Sequence, residues 1–134
     1  MISSTIDLDV RFSETDAMGI VYHANYLPWC ECARLKLLES FGVKYTDMIS
    51  DGMHLPVVSV HFDYKHPARF GDTVSIKATI AQPPRIKIRV GYEISANGNL
   101  LVTGYTEHVF INNSGAPIKP PSNFMNALRA AMER

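Results

Sequence analysis

Between Asn25 and Phe41 the chain places Tyr26, Trp29, Cys30, Ala33, Leu37 and Phe41 at helical spacing, with Leu27, Leu35 and Leu38 filling further positions among Glu31, Arg34 and Lys36. Such a helix is apolar over more than half its circumference, so the rest of the fold has to enclose it. Its ends are chemically marked. Asn25 is the expected N-cap, Pro28 falls in the first turn where a missing amide hydrogen costs little, and Gly42 suits the position after the last turn. Cys30 and Cys32, the only cysteines, lie two apart on this helix, where their side chains diverge, and no third or fourth soft ligand stands nearby. Both are therefore read as small apolar structural residues.

Strands supply the enclosure. Ile6 to Ser13 alternates apolar and polar residues strictly, the period of a strand with one buried face. Val58, Val60, Phe62 and Tyr64 repeat the pattern, as do Val74, Ile76, Ala78 and Ile80, and then Ile86, Ile88, Val90, Tyr92 and Ile94. Each of these is expected to have one core face. Leu101 to Ile111 carries bulky groups on both faces, as an interior strand does. Phe70-Gly71-Asp72 and Gln82-Pro83-Pro84 punctuate the series, and Ala96-Asn97-Gly98-Asn99 reads as a hairpin with Asn-Gly at its tip. A short helical turn is expected at Thr46 to Ser50, and a C-terminal helix with Ser122 as N-cap and Phe124, Leu128 and Met132 at four-residue spacing. Strand, long apolar helix, then four strands joined by short turns argues for an α+β fold, one antiparallel sheet curled around a buried helix.

Length and charge narrow what such a fold does. The 134 residues fit a single domain, with no repeat, low-complexity segment or linker. Thirteen basic and thirteen acidic residues cancel without a long run of either sign, so no domain-wide field draws the chain to nucleic acid or anionic lipid. The N-terminus lacks a basic and apolar leader, and nowhere do about 18 apolar residues run together, so a cytoplasmic protein without a membrane span is expected. His54, His61 and His108 have no metal-ligand spacing, and neither a metal nor another cofactor is expected.

The loop Glu14-Thr15-Asp16-Ala17-Met18-Gly19-Ile20-Val21-Tyr22-His23-Ala24-Asn25-Tyr26, running into the long helix, resembles the 4-hydroxybenzoyl-CoA thioesterase family of hot-dog proteins, and in particular its bacterial short acyl-CoA thioesterase branch. A second match is Phe62 to Asp72, similar to the family's second strand, its Pro-Ala-Arg exit and its Gly-Asp turn. The resemblance extends from about Asp7 to Pro120. It implies a five-stranded antiparallel sheet wrapped around the central helix, metal-free hydrolysis of acyl-CoA thioesters with short-chain or aromatic acyl groups, and a dimer formed by edge pairing of two sheets, often assembled into a homotetramer. Acyl-carrier-protein thioesters stay open as donors. A hot-dog hydratase or dehydratase using His23 with Glu31 or Glu39, and a non-catalytic acyl-CoA-binding module, are the alternatives.

Thioester hydrolysis needs a group that activates water or attacks the carbonyl, and donors for the developing oxyanion. Asp16 lies nine residues before Asn25 across a glycine-containing loop, so it can stand beside the first turn of the helix, where free amides point outward and the macrodipole is positive. By resemblance Asp16 aligns with the catalytic carboxylate, as nucleophile or as general base. On the residues alone it can equally be a turn residue bonding its own backbone. His23 matches the position whose backbone N–H polarises the thioester oxygen. Its imidazole either assists proton transfer or is structural. Tyr22 and Tyr26 line the acyl pocket or pack in the core, and Gly19 supplies loop geometry. For the phosphates of coenzyme A the candidates are Arg69, Arg85, Lys87 and Arg89, the alternative for the last three being a solvated sheet face.

Overall fold

The apolar stretch after Asn25 forms the central helix, and the alternating segments form the sheet that covers it. In chain order the elements are β1 (Ile2–Asp9), α1 (Tyr26–Ser40), α2 (Tyr45–Ser50), β2 (Met53–His54), β3 (Val57–Tyr64), β4 (Thr73–Ile80), β5 (Lys87–Ala96), β6 (Asn99–Val109), β7 (Ile111–Asn112) and α3 (Ser122–Met132), with 3-10 turns at Phe12–Glu14 and His23–Asn25. The computed structural model describes all 134 residues. The main sheet is antiparallel in the order β1-β4-β5-β6-β3, and β2 and β7 pair separately. No helix is long and apolar enough to cross a membrane.

Trp29, Cys30, Ala33, Leu37 and Leu38 of α1 are buried against Val74, Ile76, Ala78 and Ile80 of β4 and Ile88, Val90, Tyr92 and Ile94 of β5, within a core of 27 residues that also takes in Phe124 and Leu128 of α3. At about 25 cal/mol per Å² of apolar area, burial on this scale is the main force holding the sheet against the helix. Gly42, at φ +88°, ends α1 as expected: its N–H donates to the Glu39 carbonyl and that of Val43 to Leu38. The Asn97-Gly98 tip has both residues at positive φ, +54° and +78°, with Ala96 opposite Asn99, the two-residue hairpin foreseen. β6 is an interior strand between β5 and β3.

Several expectations need correction. The first strand starts and ends four residues earlier than its alternation suggests. Ile2 pairs with Ile80 and Asp9 with Thr73, after which the Val10 amide turns to the Asp72 carbonyl and Phe12 enters a 3-10 turn. Asn25 does not cap α1 with its side chain: the preceding 3-10 turn already holds its backbone helical at φ −76° and ψ −11°, and Nδ2 donates instead to the Glu14 carbonyl at 2.8 Å. Ser122 is the first helical residue of α3, with Pro121 in the cap position. Ile86 precedes β5 and is exposed, because Pro83 and Pro84 delay the start of the strand. Cys30 is a core residue whose thiol burial pushes up to about 12, whereas Cys32 is exposed.

The largest departure is at the sheet edge. β3 was expected to bury one face, yet Val58, Val60 and Tyr64 are 48%, 44% and 50% exposed. The helix lies over β1 and β4 and leaves this edge strand uncovered.

Candidate active site

The loop between β1 and α1 is tied down at its base by Glu14. This carboxylate, 7% exposed, accepts the Arg11 backbone N–H at 2.8 Å and the Trp29 indole N–H at 2.7 Å, with the Arg11 guanidinium at 3.5 Å. Burial acts to raise its pKa, but the Arg11 amide, the Trp29 indole and the Arg11 guanidinium outweigh it, so Glu14 titrates below the ordinary carboxylate value. The Glu14 carbonyl accepts the Tyr22 N–H at 2.9 Å as well as the Asn25 side chain, closing the two ends of the loop on one another.

Asp16 sits at the tip of this closed loop. Its carbonyl accepts the Gly19 N–H at 2.9 Å, its N–H donates to Ile20 at 2.8 Å, and Gly19 adopts φ +79°, a conformation that favours glycine. Oδ1 accepts the Met18 N–H at 2.9 Å, so the turn-residue role is real and occupies one oxygen. Oδ2 makes no hydrogen bond within the chain. The loop is stitched to the segment after β3 by pairing of Ile20 with Arg69 and by a Val21 N–H bond of 2.8 Å to the Ala68 carbonyl.

A cavity of about 260 Å³ opens between these segments, lined by Asp16, His23, Tyr26, Tyr64, Lys65 and His66 with apolar Ile20, Val21 and Pro67 around them. His23 begins the 3-10 turn that leads into α1, and neither its amide nor that of Ala24 donates to any group of the chain. The His23 carbonyl accepts the Tyr64 hydroxyl at 3.0 Å, and the Tyr26 hydroxyl accepts the Ala68 N–H at 3.1 Å. The Tyr26 and Tyr64 rings lie 5.5 Å apart. Burial raises both phenols above their usual pKa, which keeps them protonated near neutrality.

Three of the residues singled out in the sequence, Asp16, His23 and Tyr26, thus meet in one cavity. Tyr22 packs its ring 4.4 Å from that of His23 but is exposed and does not line the cavity. Arg69 is next to it, its amide bound to the Asp72 carboxylate. Arg85, Lys87 and Arg89 lie elsewhere, lining a furrow of about 600 Å³ with Gln82, Pro83 and Pro84 that shares no residue with the Asp16 cavity. Arg89 is already engaged, its guanidinium 3.9 Å over the Tyr105 ring and 3.3 Å from Glu107. Tyr64 and Glu14 were not anticipated. For Tyr64 the available signal was its place at the end of an apolar alternation, immediately before Lys65-His66-Pro67.

A carboxylate, a free turn of amides and flanking cations around a small apolar-walled cavity suit nucleophilic or base-assisted attack on a carbonyl. The family profile described as Thioesterase-like superfamily matches residues 10–128, which include this whole site. The chain belongs to that superfamily. It is a hot-dog-fold acyl-CoA thioesterase. Among its relatives, the putative acyl-CoA thioesterase YneP of Bacillus subtilis (strain 168) is 37% identical over 107 residues, covering 79% of this chain and 78% of that one. The 1,4-dihydroxy-2-naphthoyl-CoA hydrolase of Synechococcus elongatus is 31% identical over 106 residues, 78% of each chain. Among solved structures, the DHNA-CoA thioesterase of Staphylococcus aureus superposes with a TM-score of 0.93 at 31% identity, covering 99% of this thioesterase and 93% of that chain.

Proposed function

We propose that the thioesterase hydrolyses acyl-CoA thioesters of short-chain or aromatic acids at the cavity between Asp16 and the His23 turn. The observation that carries this is the meeting, in one cavity, of a carboxylate with a free Oδ2 and a helical turn whose first amides have no partner. As general base, Asp16 takes a proton from water while the oxygen attacks the thioester carbon. As nucleophile, Oδ2 bonds to that carbon and the resulting anhydride is opened by water. Either way the C–S bond breaks, the thiolate leaves as a good leaving group, and the His23 amide stabilises the oxyanion. The names of the cyanobacterial and staphylococcal relatives favour aromatic acyl groups.

The coenzyme A phosphates are assigned to the donors at this cavity's own mouth, Lys65 and His66 with Arg69 beside them, in preference to Arg85, Lys87 and Arg89. A second copy completes the fold. β3 is an edge strand with an unpaired side, and its inner face exposes Val58, Val60 and Tyr64, so pairing of β3 with its own symmetry mate joins the two sheets and covers that face. The test is a panel of acyl-CoAs and acyl-carrier-protein thioesters with thiol release followed by a chromogenic disulfide. Turnover concentrated on short or aromatic acyl-CoAs is expected; no turnover on any member refutes the proposal.

A further inference from the structure

Tyr64 forms one wall of the candidate site, and its hydroxyl reaches the backbone of the loop that leads into α1. It donates to the His23 carbonyl at 3.0 Å, across 41 positions of sequence. Burial raises the phenol's pKa, so it is protonated near neutrality, and a carbonyl oxygen only accepts, so the direction of the bond is fixed. The phenolic hydrogen is thereby engaged with the backbone and is not offered to the leaving thiolate. Tyr64 acts as a support and not as an acid.

A support has to be rigid itself. Tyr64 ends β3 opposite Val102 of β6, and just beyond it the Lys65 and His66 N–H groups both donate to the Leu101 carbonyl, at 2.8 and 3.2 Å. Its ring has Tyr26 at 5.5 Å, Phe62 at 6.2 Å and His23 at 6.4 Å. A backbone locked into a sheet and a ring among aromatic neighbours leave the hydroxyl little freedom. The second copy proposed for β3 covers this same side, and shielding the bond from water strengthens it.

The residue it holds is the one an oxyanion would meet. The Glu14 carbonyl secures the neighbours of His23, taking the Tyr22 N–H at 2.9 Å and the Asn25 side chain at 2.8 Å, whereas the side-chain bond to His23 itself comes from Tyr64. The amide and carbonyl of His23 flank a single Cα, so fixing the carbonyl limits how far the unpartnered amide can swing. A donor helps a transition state when it is already aimed where charge develops. We propose that Tyr64 is a positioning residue for thioester hydrolysis: by donating to the His23 carbonyl, it keeps the His23 amide aimed at the developing oxyanion. The inference rests on the Asp16 cavity being the place of hydrolysis, and it adds the side chain of the sheet that steadies the turn there.

Tyr64→Phe removes the hydroxyl and keeps the ring. With the best acyl-CoA of the panel, kcat and kcat/KM are expected to fall together by about fivefold to tenfold at unchanged KM, the size of one neutral hydrogen bond acting in the transition state. Thermal unfolding and sedimentation should match the wild type. Equilibrium binding of two coenzyme A analogues gives a readout that a purely structural role would not move. One is a trifluoromethyl ketone, whose carbonyl carbon becomes tetrahedral by adding water or Asp16, and the other a carbonyl-free thioether of similar shape. Tyr64→Phe should weaken the ketone by the same factor as kcat and leave the thioether within about twofold. A ketone-to-thioether ratio that is the same in wild type and Tyr64→Phe overturns the assignment, whether both affinities hold or both weaken. So does a fall in kcat beyond about 10²-fold, the cost of removing an oxyanion donor itself, which would put the hydroxyl on the reacting atoms. A wild type that binds the ketone no more tightly than the thioether contradicts the Asp16 and His23 chemistry as a whole, a result distinct from either of these.

Discussion

Replacing Glu14 by Gln keeps the shape of the side chain and removes its charge, which isolates how the Asp16 loop is anchored. Oε1 accepts the Arg11 amide at 2.8 Å and Oε2 the Trp29 indole at 2.7 Å, and Trp29 is itself buried. A glutamine keeps one acceptor oxygen but turns an NH2 toward the other donor. That leaves one buried N–H opposed, at about 1–3 kcal/mol, and weakens the surviving bond from charge-assisted to neutral, at roughly 1 kcal/mol more. The sum is about 2–4 kcal/mol, which with a urea slope near 2 kcal/mol per molar moves the unfolding midpoint down by about 1–2 M. Its pH dependence has a definite sign. The folded-state pKa of Glu14 is depressed, so its contribution is present above the unfolded value and lost as pH falls through the folded one. The gap between wild type and Glu14→Gln should be full near neutrality and shrink on acidification below 4.5. Equal midpoints near neutrality, or a gap that persists in acid, would refute the anchoring role.

His108 gives a second window. Its folded pKa is lowered from 6.5 to about 4, so the unfolded chain takes up the proton first and stability falls as pH drops between those values, by roughly 3 kcal/mol in all; urea midpoints across that range should show the slope, and His108→Phe should flatten it. A Cβ at Gly104 would collide with the His61 carbonyl oxygen and the Phe62 ring, so Gly104→Ala should separate β3 from β6 and cost upwards of about 2 kcal/mol in the same assay. Val60→Lys places a charge on the uncovered face of β3, and analytical ultracentrifugation should show the wild-type oligomer shifted toward monomer.

Much of the fold was legible because period is a local property. The spacing of Tyr26, Trp29, Ala33 and Leu37 gives α1 nearly to the residue, and the alternations at Val74 to Ile80 and Ile88 to Ile94 give buried strand faces as observed. Alternation reports which side is apolar and not what covers it, which is why β3 reads like β4 although Val58 and Val60 stand open. The start of α1 misled because an Asn before an apolar run looks the same whether its backbone is extended or already in a 3-10 turn. In the site, the Asp16 loop stood out as a contiguous string. Glu14 did not, since its partner Trp29 is fifteen residues away, and Tyr64 reaches His23 only through the tertiary fold, across forty-one positions.

The chemistry proposed for this site turns on the free oxygen of Asp16. Asp16→Asn retains the turn bond from Met18 to Oδ1 and removes only the ionised group facing the cavity, so folding should be untouched while catalysis fails. With the best acyl-CoA of the panel, kcat should fall by about 10²-fold or more, with thermal unfolding unchanged. An Asp16→Asn protein that releases thiol at close to the wild-type rate would contradict the account at its centre.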